Sequence, residues 1–351
     1  MKEHKIGYYF IVMASVVIVL AGIKSASVII IPFLLSLFIA IILSPLYNYF
    51  KSKSIPDIVS VILVITVFIL FLALIAKLVG NSVHDFSANI DTYAQKLAQY
   101  YQLISHYTAS FGIEISTEDI ANLINMKQAM KFATSIIQSM GAMFTNGFII
   151  ILTVIFMLLE SQYFVKKVEL ADGHQETMAH IERIFSKIKN YMVLKALISL
   201  FTGAIIWMSL YFLGTDYAFL WGVLAFMLNF IPNIGSIIAA IPAVLITLVQ
   251  LGGMSALAVM VLYSVINIVI GSIVEPKIMG KGLGLSTLIV FLSLMFWGWL
   301  LGIVGMLLSI PLTIMAKIIF DANQNTQWIG VLLGTGENIE LNKEANMSNE
   351  L

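Results

Sequence analysis

Between Ala196 and Val274 the chain carries a single formal charge, Asp216, and between Gly282 and Ala316 it carries none. Ordinary globular domains devote about 25% of their residues to Asp, Glu, Lys and Arg, whereas this chain of 351 residues devotes 11% and is 60% hydrophobic. Much of its surface must therefore face lipid. A backbone in lipid closes its hydrogen bonds within helices or closed barrels, and the apolar runs here have helical length. Runs of the ~20 residues that cross a ~30 Å hydrocarbon core occur at 6–23, 28–50, 58–78 and 140–159, before the uncharged half begins. Breaks are expected at Leu213–Asp216, Asn229–Gly235, Leu251–Gly253 and Glu275–Ser286. The expected fold class is all-α, a polytopic helical membrane protein with about eight transmembrane helices. The segment 233–250 reads either as a crossing of its own or as a re-entrant, broken-helix element.

The charge pattern divides the chain further. Residues 1–80 hold N-terminal transmembrane helices 1–3, the first read as a retained anchor because no Ala-x-Ala site follows it. Residues 81–139 turn polar and form a helical extramembrane insert, in which Phe86, Ile90, Tyr93, Leu97, Tyr101 and Ile104 mark one apolar helix face. Gly112 should end that helix, and Ser116 or Thr117 should begin another. Residues 140–195 supply helix 4 and a basic helical segment, 196–320 the C-terminal transmembrane core, and 321–351 a polar tail. Lysines at 2, 5, 51 and 53 and the basic 166–195 segment alternate with the acidic insert, which predicts a cytoplasmic N-terminus.

Two constellations stand out for chemistry. In Asn229-Phe-Ile-Pro-Asn-Ile-Gly235, Pro232 removes a backbone donor and frees a carbonyl, Asn229 and Asn233 bring amides, and Gly235 permits an unusual turn. Interrupted helices of this kind expose carbonyls and helix ends to a polar solute in many transporters; the alternative is a plain loop at the bilayer surface. In Glu275-Pro-Lys-Ile-Met-Gly-Lys-Gly-Leu-Gly-Leu-Ser286, Pro276 should stop the preceding helix while Gly282 and Gly284 let the chain bend closely. A charge costs ~2.5–3.5 kcal/mol at a bilayer centre. Glu275 is therefore either at the interface, in an ordinary cytoplasmic loop with Lys277 and Lys281, or paired with one of them in a cavity, where it could bind a cation or proton. Glu160 and Lys195, at the ends of neighbouring apolar runs, form a candidate ion pair or gate.

Other functions find no support. There is no Cys for thiol chemistry or disulfides, and zero formal net charge without a basic run argues against a nucleic-acid partner. His174 and His180 lack a metal-ligand spacing, and no nucleophile elbow or Walker loop is present, so no metal, cofactor or enzymatic activity is expected. Gly298-x-x-x-Gly302 with Gly305 reads as a helix-packing surface, in a run long enough either to tilt strongly or to fold back near Gly302.

Phe219–Gly235, Glu275–Gly284 and Phe296-Trp-Gly-Trp-Leu-Leu-Gly302 continuing to Pro311-Leu-Thr resemble the autoinducer-2 exporter family of bacterial membrane proteins. The likeness extends to Pro32–Ala40, Phe156–Glu160 and Tyr191–Lys195. It implies a homo-oligomeric inner-membrane transporter that exports the small polar signal autoinducer-2; a sodium or lithium/proton antiporter is the alternative within the family. A non-transporting scaffold that binds a partner through the 81–138 insert is the alternative of another class. The resemblance carries a transport-pathway role onto Pro232, Asn233, Gly235, Glu275 and Pro276.

Overall fold

The computed structural model describes residues 2–110, 135, 147–172, 175–232, 234–279, 285–321 and 326–334, and every regular element among them is helical. In chain order these are α1 (Lys2–Ser25), α2 (Ser27–Ser52), α3 (Asp57–Ser110), α4 (Gly147–Asp172), α5 (Gln175–Leu213) and α6 (Ala218–Leu228). After them come α7 (Gly235–Leu251), α8 (Gly253–Ile266), a π-helical segment (Asn267–Val274), α9 (Glu275–Met279), α10 (Thr287–Leu307), α11 (Ser309–Asp321) and α12 (Gln327–Leu333). Five described stretches are long and apolar enough to cross a membrane: Ser27–Ser52, Asp57–Asn89, Ser186–Leu213, Gly253–Ile278 and Thr287–Leu307. Four shorter apolar helices accompany them, at Phe10–Ser25, Gly147–Ser161, Ala218–Leu228 and Gly235–Leu251. α3 runs without interruption through Asn81, where the composition turns polar. The expected break at Gly112, the helix start at Ser116 or Thr117 and the tail beyond Gly334 lie outside the described residues.

The chain forms two compact units. The first comprises 1–65, 143–193 and 281–351. Its core joins Ala40, Tyr47, Val61, Val64, Ile65, Ile150, Val154 and Leu158. Ser36, fully buried, donates to the Pro32 carbonyl at 2.7 Å, so its hydroxyl is satisfied within α2. α10 is broken at Gly302, whose φ of 64° and ψ of −147° are essentially open only to glycine. The chain folds back there. A Cβ added to Gly305 would stand 1.9 Å from the Trp297 carbonyl oxygen, and the Trp297 indole N–H donates to Thr313 Oγ1 at 2.9 Å. Residues eight apart lie about 12 Å apart along a straight helix, so these contacts resolve the choice between tilt and fold-back in favour of the latter.

The second unit comprises 66–142 and 194–280. Within it α7 turns into α8 at Gly252 (φ 91°), and α6 passes close to α5 at Gly203 and Gly222. Two prolines behave differently from expectation. Pro242, a residue expected to interrupt a helix, lies buried inside α7, which continues to Leu251, because one missing donor costs a single hydrogen bond rather than the helix. Pro276 does not stop the preceding helix either: it is the second residue of α9, which follows the π segment directly. It stands where the hydrogen-bond pattern changes from i→i+5 to i→i+4, a point at which a missing donor is tolerated.

Candidate functional site

The buried side of α5 carries polar as well as apolar side chains, Ile198, Ile206 and Leu210 among the latter. Lys195, Ser199 and Thr202 are 4%, 0% and 5% exposed, whereas Leu197, Phe201, Met208 and Phe212 are largely open. The spacing of four and then three residues places the three polar groups on one helical face. Polar side chains in a helix whose outer surface meets hydrocarbon face the protein interior in this way.

Each of the two sequence constellations reaches that face. Lys195 Nζ donates to Glu275 Oε1 at 2.7 Å, with the lysine buried and the glutamate mostly so. One turn further along α5, Ser199 Oγ accepts from Asn229 Nδ2 at 2.9 Å. The two anchors are separated by about 6 Å of helical rise, so the second unit holds the Asn229 break and the Glu275 turn on adjacent turns of one helix.

Local structure explains how each arrives. α6 ends at Leu228, and the chain turns through Asn229–Ile234, where Ile231 N–H donates to the Leu228 carbonyl at 2.8 Å and Ile234 N–H to the Pro232 carbonyl at 2.6 Å. Gly235 then starts α7 so close to α6 that an added Cβ would lie 1.8 Å from the Leu228 carbonyl oxygen. On the other side, α8 buries Ala256, Val259, Tyr263 and Ile266 and the π segment buries Ile270, at alternating steps of three and four. The alternation of three and four would continue that face at 273, yet Ile273 is exposed and Val274 beside it is half-buried. The π segment adds a residue to the turn, and Glu275 N–H bonds to the Ile270 carbonyl five residues back. The bulge thereby rotates Glu275 onto the inner face, a use typical of π turns at functional sites. On the same face, the buried Tyr263 hydroxyl has no partner among the described residues.

Of the residues singled out in the sequence, Asn229, Pro232, Gly235, Glu275 and Pro276 lie in these two elements, and Lys277 is exposed on α9. Asn233, Lys281, Gly282 and Gly284 lie outside the described residues. The expected Glu160–Lys195 pair is corrected: Glu160 accepts from Lys167, both largely exposed, and Lys195 serves Glu275. Glu160 has a local partner two turns along α4 that costs little to order, whereas a buried ammonium needs a buried counter-charge. Ser199 was missed altogether. Its signal was present in the sequence as a hydroxyl four residues beyond Lys195 in an otherwise apolar run.

A second polar assembly closes the loop between α5 and α6. Tyr217 adopts a left-handed conformation (φ 57°), and the Asp216 carboxylate accepts from the Tyr93 hydroxyl at 2.7 Å. Asp216 N–H donates to Gln250 Oε1 at 2.7 Å, and the Trp221 indole donates to the Asp216 carbonyl at 3.0 Å. Phe86 stacks on Tyr93 at 5.7 Å and meets Tyr217 edge-on at 5.4 Å. Burial, then hydrogen bonds to Tyr217 and Asp216, push the Tyr93 hydroxyl well above the usual phenol range, so it stays a donor. The apolar stripe of the 81–138 insert, where described, is thus used inside the protein. Among the described residues no group of three or more His, Cys, Asp or Glu could hold a metal ion.

Comparison with known proteins gives this geometry a context. The sequence pattern of the AI-2E family transporters, AI-2 being autoinducer-2, matches residues 13–325. The chain is 41% identical over 335 residues to the AI-2 transport protein TqsA of Escherichia coli, covering 95% of this chain and 96% of that one. It is 38% identical over 336 residues to a putative transport protein of Haemophilus influenzae, covering 93% and 96%. With the putative transport protein YhhT of Escherichia coli the identity is 34% over 325 residues, covering 92% and 93%. An all-helical chain with several apolar helices, matched along nearly its whole length to transport proteins, is a multi-pass membrane transporter, and it belongs to the AI-2E family.

Proposed function

We propose that the protein exports autoinducer-2, a small neutral solute rich in hydroxyls, across the bacterial cytoplasmic membrane, along a path beside Lys195, Ser199, Asn229 and Glu275. The observation that carries this reading is the inward polar face of α5, on which both interrupted elements hang. A polyhydroxylated solute needs donors and acceptors to replace water, and this face offers an ammonium, a carboxylate, an amide and a hydroxyl at successive turns. The 41% identity to a protein named for AI-2 transport points the same way.

In this reading α6, with 11 residues, is about 16 Å long, half the ~30 Å hydrocarbon core. It forms one broken element with α7 rather than a crossing of its own. The remaining long and shorter apolar helices bring the total to about eight crossings, with the N-terminus in the cytoplasm on the lysine bias. The proposal includes a homo-oligomer, to be read from the mass of the detergent-solubilised particle. The antiporter alternative gains nothing from the geometry, since the carboxylate it would use already holds an ammonium. The scaffold alternative loses the described part of its docking face to Tyr217 and Trp221.

Inside-out vesicles test the reading and its direction together. Vesicles with the protein should accumulate labelled autoinducer-2 faster than vesicles without it, and the gain should vanish in Glu275→Ala. Equal uptake by both kinds of vesicle refutes it.

A further inference from the structure

We infer that Lys195 is a specificity determinant that restricts the path to uncharged solutes by occupying Glu275 as a resident cation. The inference rests on the proposed path and adds to it a reason why small cations do not follow. Asp216 and Glu275 are the acids in the described stretch 194–280, and Asp216 is engaged by Tyr93 and Gln250 in the loop between α5 and α6. Glu275 is the described carboxylate that meets the polar side chains of α5, and its Oε1 lies 2.7 Å from Lys195 Nζ. Lys195 is the more deeply buried partner, 4% exposed against 19% for Glu275, and lies inside the candidate span Ser186–Leu213. A sodium or lithium ion binding Glu275 would leave two cations, the ion and the ammonium, to share one carboxylate, which disfavours cation entry. A neutral hydroxylated solute can share hydrogen bonds with both groups without separating them. Removing the ammonium while keeping the carboxylate should convert a site for neutral solutes into one that accepts a monovalent cation.

Proteoliposomes holding the wild-type chain, Lys195→Met or the double variant Lys195→Met/Glu275→Gln test this, with radiolabelled sodium and labelled autoinducer-2 measured in parallel. The wild type should pass the signal and no more sodium than empty vesicles. Lys195→Met should raise sodium entry at least about tenfold over empty vesicles, a clear shift in selectivity. The double variant should return sodium to background. Should Lys195→Met fail to reconstitute, Lys195→Gln carries the same expectations. Sodium entry at background in the single variant, with signal flux retained, overturns the inference and leaves the proposed function standing, and so does sodium flux through the wild type beside its signal flux. Absence of signal flux in the wild type defeats the proposed function instead, whatever the sodium result.

Discussion

The two compact units each interrupt a helix, and they fill the interruption in opposite ways. In the first, the break at Gly302 brings the Trp297 carbonyl against Gly305 and the Trp297 indole onto Thr313. Backbone and aromatic groups close it from within. In the second, the break at Asn229–Ile234 and the bulge before Glu275 deliver an amide and a carboxylate to the inner face of α5. Lipid imposes the same demand on both, that no backbone group be left unsatisfied. One break is closed by packing and an indole hydrogen bond, and the other brings an ammonium, a carboxylate, an amide and a hydroxyl together at a desolvation cost. Under the proposed transport path, these groups serve the solute.

The strongest way to sharpen the contrast is to load each break with one methyl group. Gly235→Ala and Gly305→Ala should each cost roughly 3 kcal/mol or more, because backbone oxygen and not a movable side-chain tip occupies the space. Thermal unfolding in detergent measures both; tolerance of either would show that its turn is looser than described. Next comes Glu275→Ala, which strands the Lys195 ammonium and should cost about 3–5 kcal/mol as well as signal flux. Trp297→Phe, the comparable deletion in the first unit, should cost about 1 kcal/mol and leave flux intact. If Trp297→Phe abolishes flux as Glu275→Ala does, the distinction between the two breaks collapses.

Asn229→Leu paired with Ser199→Ala separates stability from function more finely. Removing both partners of a buried hydrogen bond is close to neutral for folding, within about 1 kcal/mol, so a folded double variant with lost flux marks these groups as solute-facing. Full flux would mark them as packing. The smallest effect belongs to the loop clasp: Tyr93→Phe should cost about 1 kcal/mol. Because folding raises the Tyr93 pKa above its ordinary 10.0, this contribution is fully present below pH 10 and declines as the pH rises further. Unfolding measured across the alkaline range in wild type and Tyr93→Phe should therefore diverge least at the highest pH.

Much of this was legible in the chain itself. The charge-free stretches dictated helices in lipid, and Pro232, Gly235 and Gly302 marked the two interruptions because backbone geometry is encoded locally. What failed was pairing. Lys195 was assigned to Glu160 because both flank neighbouring apolar runs, yet nothing in a linear pattern says which helix a buried lysine faces. The π segment was hidden for a related reason: Asn267–Val274 has the composition of any apolar helix, and the extra residue shows only in which positions are buried. The helix stop expected at Pro276 is absent, since a proline interrupts a helix only where its missing bond and its ring are not accommodated.

The most direct test of the central claim uses the absence of cysteine from the chain, which makes any introduced thiol unique. In Ser199→Cys, a water-soluble thiol reagent should label the protein in membranes, and added autoinducer-2 should slow the labelling. Ala243→Cys, at a position as fully buried on α7, serves as the dry reference. Labelling of Ser199→Cys no faster than that of Ala243→Cys, with or without the signal, would contradict a hydrated path along α5.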